Sequence, residues 1–382
     1  MIDISFLQHY WWALVSLLGA LLVFLLFVQG GQSLIFLTAK TENQRSLLVN
    51  LLGHKWELTF TTLVTFGGAI FASFPLYYAT SFGGAYWLWI TILLLFVVQA
   101  VSYEFRSKAG NLLGRKTYDR FLFLNGLLGS VLLGAAVGTF FTGGAFVVDK
   151  AALAHVGAPV ISKWANCWHG LDALTHPFNL LMGAGVYLAA CTMGLLFTIR
   201  SIDNANYRAR ALKQLKIVGT AFVLGFVVLL VYLFCLTGYH ADPVTGRITP
   251  ESHKYLHNML ELVWPAVILL LGVVLVLWGL GSAFFGKGRY SYWITSVGVV
   301  LAVFPLLICA AFNHTAYFVS TVNPKYSLTL VNSSSSKFTL QVMAYVSLLI
   351  PFVLAYIARV WYVLTKKPIT TADLQSPDAN VY

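Results

Sequence analysis

Nine apolar runs of about 20 residues each are the feature that most constrains how this chain folds. A run of that length crosses the hydrocarbon core of a bilayer as one α-helix. Only 10% of the residues are charged, against about a quarter in soluble domains, and no long alternating segments typical of membrane β-barrels occur. The sequence therefore predicts an all-α integral membrane protein with nine transmembrane helices. The runs lie at about 10–30, 58–79, 86–104, 121–141, 179–200, 216–238, 261–284, 292–312 and 341–364.

The net charge of +11 is explained by membrane topology and does not indicate a nucleic-acid partner. If the nine helices alternate in direction, 18 of the 24 Lys and Arg residues fall in the loops on one side of the membrane. Basic residues concentrate on the cytoplasmic side of membrane proteins. We therefore expect the N-terminus outside and the C-terminus in the cytoplasm. The first run is too long for a signal peptide and lacks a basic region before it, so we expect it to be retained.

Short loops on the predicted cytoplasmic side favour antiparallel neighbours and a single membrane domain over residues 1–366. Helices 1–4, at about 10–142, would form one four-helix bundle, and helices 5–8, at 179–312, a second. The ninth helix, at 341–364, would be peripheral. Residues 367–382 are polar and would form a cytoplasmic tail.

The best candidates for chemistry are Glu57 and Glu104, at the two ends of a predicted helical hairpin over residues 54–108. Both should lie at the same membrane face, where ionisable groups at the hydrocarbon edge are costly. With His54 nearby they could pass protons toward a buried site. Structural pairing is the alternative, in which Glu57 complements a helix dipole and Arg106 and Lys108 neutralise Glu104. The residues alone leave both open.

Histidines, cysteines and amides give weaker signals. No histidine lies in the middle of a predicted span, so we expect this chain to bind no haem by itself. His253 and His257 have helical i, i+4 spacing but no evident acidic or cysteine partner, and the four cysteines have no paired spacing, so no metal site or disulfide is predicted. Gln32 cannot ionise, although it could orient water; amides in lipid more often hold helices together.

Several segments resemble subunit II of the cytochrome bd quinol oxidases, in the same order and over almost the whole chain. The most specific are Lys55-Trp56-Glu57, the Gly67–Tyr78 segment and Glu104-Phe105-Arg106-Ser107-Lys108. Trp11-Trp12 precedes them. Pro177–Gly183, Ser327–Thr329 and Leu340–Met343 follow.

This resemblance implies a haem-free subunit with two four-helix bundles and one extra helix, active only with a haem-bearing subunit I. The complex, in the bacterial inner membrane, oxidises quinol and reduces dioxygen to water with protons from the cytoplasm. Glu57 matches the family's acidic residue after Trp56, which is implicated in a proton route, and Glu104 matches the acidic residue of the acidic-aromatic-Arg-Ser-Lys segment. The expected partners are subunit I, quinol and membrane lipids; a structural quinone or lipid and small accessory subunits stay open.

The chain also departs from the family pattern. Many members have Asp-Gly-Phe-Asp where this chain has Gln29-Gly30-Gly31-Gln32, and some have His at the position of Lys55. The proton-route candidates are therefore Glu57, Glu104, His54 and Gln32, with Trp56, Arg106 and Lys108 as structural support. The alternatives are a purely structural scaffold subunit of the same complex and a secondary transporter, for which paired broken helices are missing.

Overall fold

Helices account for most of the computed structural model, which describes residues 3–108, 110–154, 160–286, 290–365 and 368–369. Two of the connections contain short antiparallel hairpins. In chain order the helices are α1 (Ile4–Leu25), α2 (Phe27–Ser33), α3 (Ile35–Thr38), α4 (Glu42–Gly53), α5 (Trp56–Ser73), α6 (Pro75–Tyr78), α7 (Tyr86–Phe105), α8 (Arg115–Leu124), α9 (Ser130–Thr142), α10 (Pro177–Ser201), α11 (Ala205–Cys235), α12 (Lys254–Glu261), α13 (Val263–Phe284), α14 (Ser291–Ala311), α15 (Leu330–Ser333), α16 (Lys337–Ser347) and α17 (Ile350–Thr365).

The hairpins lie in the two long connections between α9 and α10 and between α11 and α12. In the first, β1 (Phe146–Val148) pairs with β2 (Ser162–Trp164). In the second, β3 (Gly238–Ala241) pairs with β4 (Ile248–Glu251). Single π-helical turns, Ala79–Gly83 and Asn125–Gly129, extend α6 and join α8 to α9.

Seven helices of the described residues are long and apolar enough to cross a membrane, or eight if α16 and α17, bent by 41° to each other, form one span. The seven are Ile4–Ser33, Tyr86–Phe105, Arg115–Thr142, Pro177–Ser201, Ala205–Cys235, Val263–Phe284 and Ser291–Ala311. The run at 58–79 is not among them. Its helix α5 has 18 residues, carries Glu57 and four threonines, and ends just before Pro75, whose ring is incompatible with a continuous helix.

Glycines allow the central helices to approach each other closely. A Cβ added at Gly30 in α2 would lie 1.9 Å from the backbone oxygen of Ala190 in α10. On the other side of the same contact, a Cβ added at Gly194 would lie 2.4 Å from the backbone nitrogen of Gly31. Small residues at such crossings give helices dispersion contacts that lipid cannot replace. Close packing through small residues is also found at Gly134, where a Cβ would lie 2.7 Å from Cα of Gly183.

Helix α10 packs on α2 and α9 as well as on α11, so helices of the two predicted bundles are in direct contact. The division into two four-helix bundles with a peripheral helix stays a prediction. The predicted tail at 367–382 lies outside the described residues except for Pro368 and Ile369. The backbone of Ile369 bonds with Ser201 and Asp203 at the end of α10.

Candidate functional site

Glu57 and Glu104 line one pocket, as their positions on the predicted hairpin suggest. The pocket has a volume of about 310 Å³ and is formed by the first turn of α5 and the last two turns of α7. Both carboxylates are exposed in the isolated chain. We refer to this site as the carboxylate pocket; its lining residues are Trp56, Glu57, Ala100, Val101, Glu104 and Phe105.

The two carboxylates have different local surroundings. Glu57 lies in the first turn of α5, where a negative charge complements the helix dipole. Glu104 lies in the last turn of α7, where the dipole opposes it, and its Oε1 is 3.2 Å from Nζ of Lys108. Both members of that pair are more than half exposed, so it contributes at most about 1 kcal/mol to stability.

Arg106 does not pair with Glu104, although the structural alternative names it as one of two residues that could neutralise that carboxylate. Its guanidinium is fully buried, with Nε 2.6 Å from Oδ1 of Asp119 and Nη2 3.0 Å from Oε1 of Glu42. A buried guanidinium requires such partners because desolvation of an unpaired charge is very costly. Arg106 thereby holds the α7–α8 connection against the start of α4, directly behind the pocket.

Helical spacing explains why the side chain of Arg106 points into the protein while that of Glu104 points outward. Gln99, Tyr103 and Arg106 follow each other at i, i+4 and i+7 on α7, and all three are buried. Val101 and Glu104, three residues apart, lie on the exposed face. The spacing in the sequence therefore predicts which face of α7 is buried, starting from Gln99. It does not predict that Arg106 pairs with Asp119 and Glu42.

Trp56 forms the wall between the pocket and the helical core. Its ring stacks on that of Tyr103, with 6.2 Å between centroids and 13° between planes. The hydroxyl of Tyr103 donates to Oε1 of Gln32, at 2.8 Å. A pocket-lining indole thus contacts a phenol that is bonded to a buried amide.

Gln32 belongs to a row of four buried amides, which we call the amide chain: Gln29, Gln99, Gln32 and Asn125. Gln29 Nε2 donates to Gln99 Oε1 at 3.2 Å, and Gln99 Nε2 donates to Gln32 Oε1 at 3.0 Å. Gln32 Nε2 then donates to Asn125 Oδ1 at 2.5 Å. Within the described residues the two ends of the chain, Gln29 Oε1 and Asn125 Nδ2, have no hydrogen-bond partner. The amides hold α2, α7 and the π-helical turn before α9 together.

His54 and Lys55 lie beside the pocket but do not line it. His54 follows α4, and its Nδ1 is 2.6 Å from the backbone oxygen of Asn50. Lys55 is only 2% exposed, with Nζ 5.8 Å from the ring centroid of Trp361. Burial lowers the pKa of Lys55 to about 8. Neither contact directs these side chains at Glu57 or Glu104.

The histidines expected to bind no metal have other contacts. His257 Nδ1 lies 2.7 Å from Oε1 of Glu251, so an acidic partner is present that the sequence reading missed. His253 Nδ1 bonds to the backbone oxygen of Phe234. Among the described residues no group of three or more His, Cys, Asp or Glu side chains is arranged to hold a metal, and all four cysteines are free.

Comparison with known proteins identifies the family. The family model described as cytochrome bd terminal oxidase subunit II matches residues 7–364. The chain belongs to this family. It is thus a subunit of a cytochrome bd oxidase, an oxidoreductase complex, and the designation implies a partner subunit I.

Individual members of the cytochrome bd subunit II family match over nearly their full length. The chain is 30% identical to cytochrome bd ubiquinol oxidase subunit 2 of Bacillus subtilis, covering 94% of this chain and 96% of that protein. It is 25% identical to cytochrome bd-I ubiquinol oxidase subunit 2 of Escherichia coli K12, over all of both chains. A chain in the structure of bd oxidase from Geobacillus thermodenitrificans has the same fold, with a TM-score of 0.61 at 15% identity, covering 93% of this chain and 98% of that one.

Proposed function

We propose that this chain is the haem-free subunit II of a bd-type quinol:dioxygen oxidoreductase and supports proton uptake from the cytoplasm. The carboxylate pocket carries the proposal, because it brings Glu57 and Glu104 together at the ends of two helices. Carboxylates at a membrane edge can take protons from water and release them inward. The oxygen chemistry itself would belong to the haems of subunit I.

The interior side of the pocket supports the direction of transfer. Behind Trp56, the hydroxyl of Tyr103 and the amide of Gln32 form a polar path that leads to the buried amide chain. Gln32 cannot accept a proton at physiological pH, so its role would be to orient water at the inner end of the path. His54, three residues before Glu57, would be a further member of the route, and its Nδ1 bonds to the backbone oxygen of Asn50.

A purely structural role is favoured by a separate set of observations. Glu104 pairs with Lys108, and the amide chain and the Arg106–Asp119 pair are arrangements that hold helices in place. In that case the subunit would act only as a scaffold that stabilises subunit I.

Quinol as the electron donor follows from the names of the relatives, which are ubiquinol oxidase subunits. A cavity of about 160 Å³ offers room for part of a lipid or quinone tail and is lined almost entirely by apolar side chains. Its lining includes Leu22, Leu133, Met182, Phe226, Val276 and Leu306. Aliphatic chains bind such surfaces by apolar burial alone.

We further propose that the chain has nine spans in the inner membrane of a bacterium: the seven long helices, the bent α16–α17 pair, and α5 together with α6. The end of the molecule that carries the carboxylate pocket also carries the basic residues at the start of α8 and the end of α10, including Arg115 and Arg200. By the positive-inside rule this end faces the cytoplasm. Proton uptake through the pocket would then draw from the cytoplasmic side.

The test is turnover of the complete oxidase with Glu57→Gln, Glu104→Gln or both. Proton transfer predicts slower turnover in each single variant and about a tenfold or larger loss in the double variant, with haem spectra unchanged. Asp203→Asn is the matched control, because Asp203 lies at the same end and pairs with Arg208 on the surface. Unchanged turnover and pH profile in the double variant would establish the scaffold role instead.

A further inference from the structure

The hairpin β3–β4 is fastened to the segment that follows α14, at the end of the helical body opposite the carboxylate pocket. The backbone N–H of Ala241 donates to the oxygen of His314 at 2.7 Å, and the N–H of Ala316 donates to the oxygen of Tyr239 at 2.9 Å. Helix α11 separates the two ends by about 46 Å, given its 31 residues. The contact is therefore independent of the proposed proton path.

A buried lysine lies at the centre of this contact. Lys254 is 2% exposed, and its Nζ is 2.9 Å from Oε2 of Glu251 and 3.3 Å from Nδ1 of His240. An ammonium group can only donate hydrogen bonds. The bond to His240 therefore exists only while Nδ1 of that ring carries no proton.

Further titratable groups surround Lys254 and His240 on neighbouring elements. Glu251 is shared, because its Oε1 also accepts from His257 at 2.7 Å. The ring of His314 lies 6.0 Å from that of His240, and His9 of α1 approaches His314 across Phe312. Asp242, on the exposed turn of the hairpin, already accepts bonds from Val244 and Thr245. Burial, followed by the charges of His240, Lys254 and His9, lowers the pKa of His314.

We infer that His240, Glu251, Lys254 and His314 form a pH-sensitive latch, which opens when the two histidines are protonated. A proton on Nδ1 of His240 removes the acceptor for Lys254 and creates a second cation 3.3 Å from the first. A proton on His314 adds a third positive charge. Oε2 of Glu251 also lies 3.9 Å from Nδ1 of His240, but this single carboxylate already pairs with Lys254 and His257 and cannot neutralise every added positive charge.

The direction of the pH effect follows from proton linkage. The closed latch disfavours protonation of His314 and requires a free Nδ1 on His240, so the open state binds more protons. Stability of the closed state therefore falls as the pH drops below the ordinary histidine pKa of about 6.5. The latch should be closed at pH 7.5 and open in part of the molecules at pH 5.5.

Hydrogen exchange in the assembled oxidase tests this inference. Protection factors, corrected for intrinsic exchange, are measured at pH 7.5 and 5.5 for peptides covering 238–251 and 312–317. We expect protection to fall about tenfold on acidification. The fall should largely disappear in His240→Gln, because an amide oxygen accepts from Lys254 without titrating.

Two further variants make the outcome decisive. His253→Gln removes a titratable ring that bonds to the backbone of Phe234, outside the latch, and should leave the fall unchanged. If His240→Gln does not assemble, His314→Gln should weaken the pH response by itself. Equal protection at both pH values in the native chain, or an undiminished fall in the His240 and His314 variants, overturns the inference.

Discussion

The ring of Trp56 lies parallel to that of Tyr103, 6.2 Å away, and joins a solvent-facing carboxylate pocket to a buried amide chain. An aromatic pair of this kind contributes about 0.5–1.5 kcal/mol beyond the area it buries. Trp56 thus fixes the distance between Glu57, its neighbour in sequence, and the polar path behind Tyr103. In the proposed function, protons from the pocket would enter the subunit beside this aromatic pair.

Replacement of Trp56 by Leu should slow turnover and reduce thermal stability, whereas Trp56→Phe should preserve most of both. Leucine removes the stacked ring, and phenylalanine keeps a ring over Tyr103. Oxidase activity and the melting temperature of the assembled complex, measured for both variants, provide the check. Equal losses in the two variants would show that ring stacking has no part in either property.

Replacement of Arg106 by Met should destabilise the complex by about 3–5 kcal/mol, because it removes the close partner of the buried Asp119 and leaves only Arg45, at 4.0 Å. The double variant Arg106→Met with Asp119→Leu should recover part of this loss, since both buried charges are then removed. Yield and thermal denaturation of the assembled oxidase measure both effects. Lys108→Met is the control at a half-exposed pair and should change stability by less than about 1 kcal/mol.

Replacement of Gln32 by Met should cost about 2 kcal/mol, because three hydrogen bonds of about 0.6 kcal/mol each are lost at similar side-chain volume. Thermal denaturation of the complex measures this cost. If Gln32 also orients water on the proton path, turnover of the intact complex will slow as well. A stability loss with normal turnover would limit Gln32 to a structural role.

Alanine at Gly30 should destabilise the complex by about 1–3 kcal/mol, because its Cβ would lie 1.9 Å from the backbone oxygen of Ala190. Gly68→Ala is the matched control, since no atom outside its own helix backbone lies within 4 Å of the added Cβ. That change should be neutral or stabilise the helix by up to about 1 kcal/mol. Similar melting temperatures for the two variants would contradict the close α2–α10 contact.

The contribution of Lys55 to the free energy of unfolding should become more favourable as the pH rises from about 8 to 10.5. Burial lowers the pKa of Lys55 to about 8 from its ordinary value of 10.5, so the unfolded chain binds more protons than the folded chain in this range. Below pH 8 both states are protonated and the cost of burying the charge is fully present. Lys55→Met should therefore be more stable than the native chain at pH 7.5, with the difference shrinking toward pH 10 in denaturation experiments.

The amino-acid sequence by itself determined that this chain is a multi-pass helical membrane protein, and its motifs indicated the bd oxidase family. Apolar runs of about 20 residues leave few alternatives to membrane helices, because backbone polar groups in lipid must bond within the segment. The placement of Glu57 and Glu104 at the same end of the molecule was also predictable, since two helices joined by a short turn return to the same face.

Only the tertiary structure decided where the individual side chains point and what they contact. The sequence left open that Arg106 neutralises Glu104, two residues away, yet its guanidinium turns inward to Asp119 and Glu42 on other helices. The amide chain likewise joins residues up to 96 positions apart, from Gln29 to Asn125. Such partnerships depend on how helices rotate and cross, which is set by close glycine contacts and by the need to satisfy every buried polar group. Local sequence patterns do not encode that geometry.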